Sequence, residues 1–335
     1  HTISTGFAGL LGVLAKRRFR RPLLVSEHGI YTKERRIDLF AAHWIADNRS
    51  LFERDTAEIA YFRQLWIRFF EAIGRAAYDA ADQIVALFDA NRERQIADGA
   101  AAERTQNIRN GIDIDRFAPL RELRPMTPPK VLCLVGRVVP IKDVKTFIRA
   151  MRVLVNRMPD VEGWIAGPLD EDAAYAKECQ SLIEALGLQA QVKMLGFQSM
   201  TEILPKVGLV VLSSISEALP LSVLEAFAAG IPVVTTDVGS CAELIYGGTP
   251  EDRALGAAGE VVGIANPQAL AEAAVSLLAD PTRWERAART AILRVERYYS
   301  DQHMFDHYRV LYQGALEQPD RPVTPAHATT SERRP

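Results

Sequence analysis

Residues 130 to 265 alternate regularly between continuous apolar stretches and segments with helical periodicity. The apolar stretches are KVLCLVG, EGWIAG, QVKMLG, VGLVVLSS and IPVVTT. Strands that are apolar throughout are typical of a parallel sheet that helices cover on both faces. This alternation therefore predicts a doubly wound α/β domain.

The first 118 residues show a shorter version of the same pattern. RPLLVSEHG, DQIVALF and TQNIRN predict strands, and residues 51 to 77 predict a long helix. Because so few strands precede a proline-rich segment, we expect the leading β-α units of this domain to be absent from the sequence. The predicted organisation is a partial first domain (1–118), a linker (119–129), a second domain (130–297), a C-terminal helix packing back toward the first domain (298–317) and a disordered tail (318–335).

Charge and cysteine content narrow the class of protein. The formal net charge of -2 gives no argument for binding nucleic acid. The three cysteines are odd in number and lack CxxC spacing, which argues against a disulfide framework or a zinc site and favours a reducing cytoplasm. No apolar run approaches the ~18 residues of a membrane span. Two long helical stretches are predicted after the second sheet, at 267–297 and 301–316.

Two carboxylates, Glu217 and Glu225, lie inside the apolar stretch SISEALPLSVLEAFAAGIPVV. Pro220 favours a helix start, which puts Glu217 in the preceding loop and Glu225 in the second turn. Ligands of open parallel sheets bind outside the carboxyl ends of the strands, and a free helix N-terminus favours anions. The two acids could therefore accept hydrogen bonds from a polyol whose phosphate is bound by the helix N-terminus. The alternative is that Glu217 caps the helix and Glu225 is solvated.

Two cations, Arg137 and Lys142, follow the first strand of the second domain in GRVVPIKDV. They are predicted at the same sheet edge as Glu217. Arginine offers a fork that bridges phosphate oxygens, and lysine offers a mobile point charge. Together they suit a diphosphate, with a pair of solvated loop cations as the alternative.

The motifs GRVVPIKDV, VKMLGF and SEALPLSVLEAFAAGIPVVTTDVGS resemble, in this order, the donor domain of GT-B glycosyltransferases of family 4. RNGIDIDRFAP resembles the segment that closes their first domain, and STGFAGLLG and EHGIYTKERRIDL resemble the PelF branch, which serves Pel exopolysaccharide synthesis. The resemblance covers nearly all of the chain except the tail. It implies an α/β fold of GT-B class, with two Rossmann-like doubly wound parallel-sheet domains facing a cleft.

The resemblance also implies roles for residues of the second domain. Arg137 and Lys142 would hold the donor diphosphate and stabilise the leaving nucleotide. Glu225 would accept hydrogen bonds from the ribose, and Glu217 would contact the transferred sugar. The other implied donor contacts are Gly136, Leu195, Gly196, Phe197, Ala218, Leu219, Pro220 and Leu221. The last four replace the commoner Gly-Phe-Gly-Leu, a change that backbone N–H contacts could survive.

In the first domain, His28 follows a strand and is similar to the family's active-site histidine beside the transferred sugar. The alternative is a loop histidine with satisfied hydrogen bonds. The implied acceptor contacts are Glu27, Tyr31, Arg35 and Arg36, with solvated side chains as the alternative for the arginines. The implied catalytic set is His28, Glu217, Arg137 and Lys142.

Metal binding is not expected. The acids at 170–172 and 113–115 match a metal motif of a different glycosyltransferase fold, but the first group suits a helix N-terminus and the second a domain-closing loop. The resemblance implies a retaining reaction without metal, with a UDP-sugar as co-substrate and no resident cofactor. It implies a polysaccharide acceptor and an inner-membrane synthesis complex as partners, no nucleic acid, and a cytoplasmic location peripheral to the inner membrane.

The expected function is transfer of a hexose from a UDP-sugar to a growing, Pel-like exopolysaccharide. Two alternatives stay open. One is a nucleotide-sugar epimerase or another GT-B enzyme. The other is a truncated UDP-binding module without transferase activity, because the opening glycine-rich turn expected in the first domain is not found in the sequence.

Overall fold

The computed structural model describes residues 1–41, 45 and 61–317. The chain divides into two compact units: His1–Ile108 with the residues from His307 onward, and Arg109–Asp306. Residues 318–335, predicted to be a disordered tail, lie outside the described residues. So do residues 51–60, the first part of the predicted long helix.

The first unit is built on a three-stranded parallel sheet in the order β1–β2–β3. All three predicted strands are confirmed: β1 (Leu24–Ser26), β2 (Gln83–Ala86) and β3 (Thr105–Asn107). Its helices are α1 (Phe7–Phe19), α2 (Tyr31–Ala41), α3 (Tyr61–Ala80) and α4 (Asp89–Ala97). The core joins α1 and α3 to the sheet through Val13, Val25, Ala77, Tyr78 and Ile84, all buried.

The second unit contains a six-stranded parallel sheet in the order β6–β5–β4–β7–β8–β9. The strands are β4 (Val131–Val135), β5 (Glu162–Ala166), β6 (Val192–Gly196), β7 (Leu209–Leu212), β8 (Val233–Thr236) and β9 (Gly259–Val262). The first five confirm the predicted strands. β9 was not predicted, because its four residues GEVV include only two with apolar side chains.

The helices of the second unit cover both faces of this sheet, as the continuous apolar strands require. They are α5 (Val144–Arg157), α6 (Ala173–Ala185), α7 (Met200–Ile203), α8 (Leu221–Ala228), α9 (Cys241–Tyr246), α10 (Pro250–Arg253), α11 (Pro267–Leu278) and α12 (Pro281–Tyr298), and α13 (Asp301–Glu317) follows. Within the described ranges, no helix combines the length and apolar character needed to cross a membrane.

The stretch 267–297 is helical as predicted, but it divides into two helices, α11 and α12. The side chain of Asp280 accepts a hydrogen bond from the N–H of Arg283 at 3.0 Å, so it caps α12. Pro281 occupies the first helical position, where its missing N–H has no cost. An N-cap followed by proline therefore starts a new helix at this point.

Residues 109–118 were predicted in the first domain but belong to the second unit. Ile112 forms a parallel bridge with Ser300, and Arg109 forms an ion pair with Glu243 of α9. The predicted linker also packs on the second unit: Arg121 donates to the carbonyl of Ala228 at 2.7 Å. From His307 onward α13 belongs to the first unit.

The strand order of the second unit determines where a ligand can bind. The chain winds outward from β4 to β6 on one side and from β7 to β9 on the other. In such a doubly wound sheet, the crevice lies at the carboxyl ends of the two strands where the winding reverses. Those strands are β4 and β7, so the loops that follow them define the candidate site.

Candidate active site

Lys142 and Glu217 meet at the point where the winding of the sheet reverses. Lys142 ends a short 3-10 helix (Pro140–Lys142) after β4, and Glu217 lies in the loop after β7. The Nζ of Lys142 lies 2.5 Å from the Oε1 of Glu217, and Ser214 donates its hydroxyl to the same oxygen at 2.6 Å. Their side chains are only 17% and 11% exposed. The predicted cation and acid are therefore neighbours in one partly buried ion pair.

The two loops that carry this pair are fastened to each other by backbone contacts. The hydroxyl of Ser213 donates to the carbonyls of Lys142 and Asp143, both at 3.0 Å. The N–H of Ile215 donates to the carbonyl of Ile141 at 2.9 Å. Because these contacts surround the ion pair, the positions of Lys142 and Glu217 are set by the backbone and do not depend on the pair alone.

Arg137 and Gly136 occupy the loop between β4 and Lys142. Gly136 has a φ of +152°, and the methylene chain of Lys142 would contact a Cβ there at 3.5 Å. Arg137 is about half exposed and forms an ion pair with Glu171, in the loop before α6. The predicted diphosphate cations therefore lie on one loop, and each is already paired with an acid.

The start of α8 follows the Glu217 loop. Pro220 is the N-cap of this helix rather than part of its first turn, and no side chain caps it. Ala218 is half-buried, Leu219 and Pro220 are buried, and Leu221 is exposed. The side chain of Leu219 therefore does not face a ligand, and Pro220 has no N–H to offer. The uncapped N–H groups at the start of α8 are the hydrogen-bond donors that this segment can offer to an anion.

Glu225 lies on α8 and is half-buried. Burial raises the pKa of its carboxyl above the ordinary 4.5, while the charge of nearby Arg116 opposes the rise. In the part of the chain that the structure describes, no hydrogen bond or ion pair satisfies this carboxylate. The carboxylate is thus partly desolvated but still open to a ligand or to water.

Leu195, Gly196 and Phe197 lie at the end of β6. Gly196 has a φ of +68° and accepts a hydrogen bond from the N–H of Gly167 at 2.8 Å. Phe197 is 82% exposed, so its ring is free to stack on a flat ligand. The predicted flanking of a nucleotide base stays a prediction.

A glycine-serine turn between β8 and α9 supports the Glu217 loop and was not predicted from the sequence. Both the N–H and the hydroxyl of Ser240 donate to the carbonyl of Ala218 at 2.9 Å. Gly239 has a φ of +55°, and a Cβ there would lie 2.3 Å from the carbonyl oxygen of Glu217. Only glycine fits this close approach.

We expect Gly239→Ala to displace the Glu217 loop and to weaken ligand binding at this site, because the new methyl group overlaps backbone that cannot rotate away. Titration calorimetry with UDP measures the effect. Gly263→Ala is the matched control, since a Cβ there meets nothing within 4 Å. Equal UDP affinity in the two variants would contradict the supporting role of the turn.

His28 lies in the first unit, directly after β1 and Glu27, and is exposed. Partial burial of its ring lowers the pKa below the ordinary 6.5, so the neutral imidazole predominates at pH 7. Among the described residues, no side chain or backbone group forms a hydrogen bond with this ring. This exposed ring is open to hydrogen bonds from a ligand or from water.

The four predicted acceptor contacts differ in exposure. Glu27 is 1% exposed and accepts hydrogen bonds inside the unit, so the prediction that it contacts an acceptor is wrong. Tyr31 is half-buried, its ring against Phe70 and under the guanidinium of Arg35. Arg35 pairs with Asp38 at 2.6 Å, and Arg36 is exposed.

The two aspartate motifs discounted as metal sites have local roles. Asp172 caps α6 by accepting from the N–H of Tyr175 at 2.9 Å. Asp113 accepts from the N–H of Arg116 at 3.2 Å. Residues 1–41, 45 and 61–317 contain no group of three or more histidine, cysteine, aspartate or glutamate side chains placed to hold a metal ion.

Two family models match this chain. Residues 1–103 match a domain of unknown function, DUF3492, and residues 119–294 match the family described as Glycosyl transferases group 1. The second match spans more than half of the chain. It contains both loops of the Lys142–Glu217 pair and the whole of α8.

Curated relatives cover parts of the chain. A D-inositol 3-phosphate glycosyltransferase 2 from Catenulispora acidiphila is 28% identical over 235 residues, which is 66% of this chain and 53% of the relative. An exopolysaccharide phosphotransferase from Streptomyces coelicolor is 35% identical over 165 residues, 48% of this chain and 16% of the relative. The chain thus spans about half the length of the first relative and far less of the second.

A solved structure matches the fold over nearly the whole chain. HepE from Anabaena, crystallised with UDP and also with UDP-glucose, superposes with a TM-score of 0.71 at 21% identity, over 92% of this chain and 76% of HepE. A sequence identity of 21% supports a conclusion about the fold alone. Together with the parallel sheets of both units, it confirms the predicted α/β GT-B fold class.

Proposed function

The chain belongs to the Glycosyl transferases group 1 family, and on that premise we propose that it transfers a hexose from a UDP-sugar to a growing exopolysaccharide. The observation that carries the proposal is the Lys142–Glu217 pair at the reversal point of a doubly wound sheet, beside the uncapped start of α8. A cation, an acid and a free helix N-terminus at one sheet edge suit a sugar diphosphate.

The donor diphosphate would be held by Lys142, by Arg137 and by N–H groups at the start of α8. Lys142 would exchange part of its contact with Glu217 for a phosphate oxygen. Arg137 would likewise give up its ion pair with Glu171 to bind the diphosphate. As the bond to the sugar breaks, negative charge grows on the leaving phosphate. Cations already in place stabilise that charge without reorganisation, so these residues need no metal ion to meet it.

Glu217 and His28 would act on the sugar side of the reaction. A carboxylate freed from Lys142 can accept hydrogen bonds from sugar hydroxyls, and a neutral imidazole can both donate and accept. In the retaining scheme that we propose, the leaving phosphate deprotonates the acceptor hydroxyl on the face from which it departs. Glu217 and His28 then orient and stabilise, and no dedicated protein base is required.

Two comparisons support the choice of donor and product. HepE, which shares the fold, was crystallised with UDP-glucose, and one curated relative is an exopolysaccharide phosphotransferase. We further propose that the polymer is Pel-like, as in the PelF branch. The protein would then work in the cytoplasm, at the periphery of the inner membrane and with a polysaccharide synthesis complex.

The test is a thermal-shift screen over nucleotide sugars, followed by product analysis with and without a polysaccharide acceptor. A preferred UDP-sugar should raise the midpoint of unfolding, because ligands of the folded state stabilise it. Transfer to the acceptor supports the proposal. A changed free nucleotide sugar would identify an epimerase instead, and UDP binding without any turnover would identify a binding module.

Glu225→Gln should weaken UDP binding about tenfold, because hydrogen bonds to a charged group are worth about 1.5–3 kcal/mol. The pKa of Glu225 is raised, so its carboxylate form is lost on acidification from a pH above 4.5. Wild-type affinity should therefore fall as the pH falls through that raised pKa, while the variant should lose this component. Calorimetry with UDP across the pH range measures both effects.

The matched control is Glu272→Gln, since Glu272 is 53% exposed and lies on α11. It should leave UDP affinity and its pH dependence unchanged. If Glu225→Gln behaved like this control, the assignment of Glu225 to the ribose would be wrong.

A further inference from the structure

Glu27 is a buried carboxylate on which four other segments of the first unit converge. Its Oε1 accepts from the hydroxyl of Thr5 at 2.7 Å and from the N–H of Tyr31 at 3.3 Å. Its Oε2 accepts from the hydroxyl of Tyr78 and from the side-chain amide of Gln95 at 3.2 Å. These donors come from the segment before α1 and from α2, α3 and α4. One side chain directly after β1 thus joins the segment before α1 to three helices, α2, α3 and α4.

Burying the carboxylate of Glu27 costs desolvation free energy, which indicates that a carboxylate has a specific role at this position. Glu27 is 1% exposed, and in the described part of the chain no cation pairs with it. Burial raises the pKa of its carboxyl, while its four hydrogen bonds oppose the rise. All four partners can donate, so the set is complementary to a carboxylate. A packed apolar side chain would fill the space without this desolvation cost.

The contacts of Glu27 define the turn that carries His28. Glu27 directly precedes His28, and its Oε1 binds the first N–H of α2, three residues beyond that histidine. The turn is therefore held at both ends by one side chain. Within it, the carboxylate of the exposed Glu34 lies against Gly29.

We propose that Glu27 is the positioning residue of His28: it orients the imidazole for the sugar side of the reaction without touching the substrate. This inference rests on the role proposed above for His28. It also assigns Tyr78 and Gln95 a role, since their side chains bind Oε2, the carboxylate oxygen that does not bind the N–H of Tyr31. The same contact sets where α2 begins, and with it the position of Tyr31.

Glu27→Gln keeps the size of the side chain but replaces one acceptor oxygen with a donor, so at least one of the four contacts is lost. We expect the folded variant to keep its affinity for UDP, which depends on the second unit, and its KM for the UDP-sugar. Its kcat should fall about tenfold to 100-fold, because small misplacements of a reacting group cost that much. Tyr78→Phe, which removes one donor and keeps the carboxylate, should show a smaller loss.

A double-mutant cycle separates positioning from a purely structural role. If Glu27 acts through His28, then adding Glu27→Gln to His28→Ala should cause no further loss of kcat. Independent losses that multiply would overturn the proposal. Glu93→Gln is the matched control, because Glu93 is exposed on α4, and it should match the wild type. A Glu27→Gln variant as active as this control would also overturn it.

A second readout does not depend on turnover. Amide hydrogen exchange at His28 to Tyr31, and titration of the His28 ring by NMR, should both change in Glu27→Gln and not in Glu93→Gln. Unchanged exchange and an unchanged titration would overturn the proposal. If the wild type shows no transfer with any nucleotide sugar, the proposed function fails, and these two measurements still decide the role of Glu27.

Discussion

Lys142→Ala and Glu217→Ala should each abolish measurable sugar transfer while the protein remains folded. Removal of one preorganised group that stabilises transition-state charge costs about 10²–10³-fold in rate. In the proposed function, Lys142 holds the donor diphosphate and Glu217 contacts the transferred sugar. The fold should survive because Ser213 and Ile215 fasten the two loops through backbone contacts that neither variant removes.

The matched control is Lys145→Ala. Lys145 is the second residue of α5, three residues after Lys142, and its Nζ pairs with Glu178 at 2.6 Å on a more exposed surface. Steady-state kinetics with purified donor and acceptor, with circular dichroism as a check of folding, give the comparison. Near-wild-type kcat/KM in either active-site variant would show that the roles of Lys142 and Glu217 are misassigned.

Arg294→Met should destabilise the second unit by about 3–5 kcal/mol, the usual cost of leaving half of a buried ion pair. Arg294 is fully buried, and its Nε donates to Asp252 at 2.6 Å. Its other nitrogens donate to the carbonyls of Leu244, Ile245, Asp252 and Gly256 at 2.7–3.2 Å. Methionine fills similar space but leaves the charge of Asp252 without its cation and removes every hydrogen bond that Arg294 donates to these carbonyls.

For a unit of this size, that loss should lower the midpoint of thermal unfolding by roughly 10 °C. Differential scanning calorimetry measures it directly. Arg289→Met is the control on the same helix, because Arg289 is 75% exposed and its ion pair with Glu285 is an i,i+4 surface pair. The control should shift the midpoint by far less, and a similar shift in both variants would contradict the importance of the buried network.

The fold was predictable from the sequence wherever local signals agree with packing. The central strands β4 and β7 are apolar throughout, so their burial on both faces was readable directly from their composition, and β5, β6 and β8 were recognised within mainly apolar stretches. β9 was not predicted, because two of its four residues, Gly259 and Glu260, are not apolar. Its pairing with β8 is what identifies it as a strand. The break between α11 and α12 carried a local signal, Asp280 followed by Pro281, that the helical periodicity on either side outweighed.

The sequence predicted which residues lie at the candidate site, but it did not predict which residues they contact there. The positions of Glu217 and Lys142 followed from the rule that ligands bind at the carboxyl edge of parallel strands. That the two form one ion pair depends on β4 and β7 being neighbours, which strand order alone decides. Gly239 and Ser240 lie more than 20 residues after Glu217, so their support of its loop could not be read from spacing. Glu27 looked like a loop acid beside His28, because its burial depends on α1, α3 and α4.

In the proposed function, the second unit binds a nucleoside diphosphate through Lys142 at the reversal point of its sheet. Titration calorimetry of UDP into the wild type and into Lys142→Ala tests it most directly. We predict saturable binding of one UDP per chain to the wild type, and at least a tenfold loss of affinity in the variant. Absence of UDP binding to the folded wild type, or equal affinity in both proteins, would contradict the account.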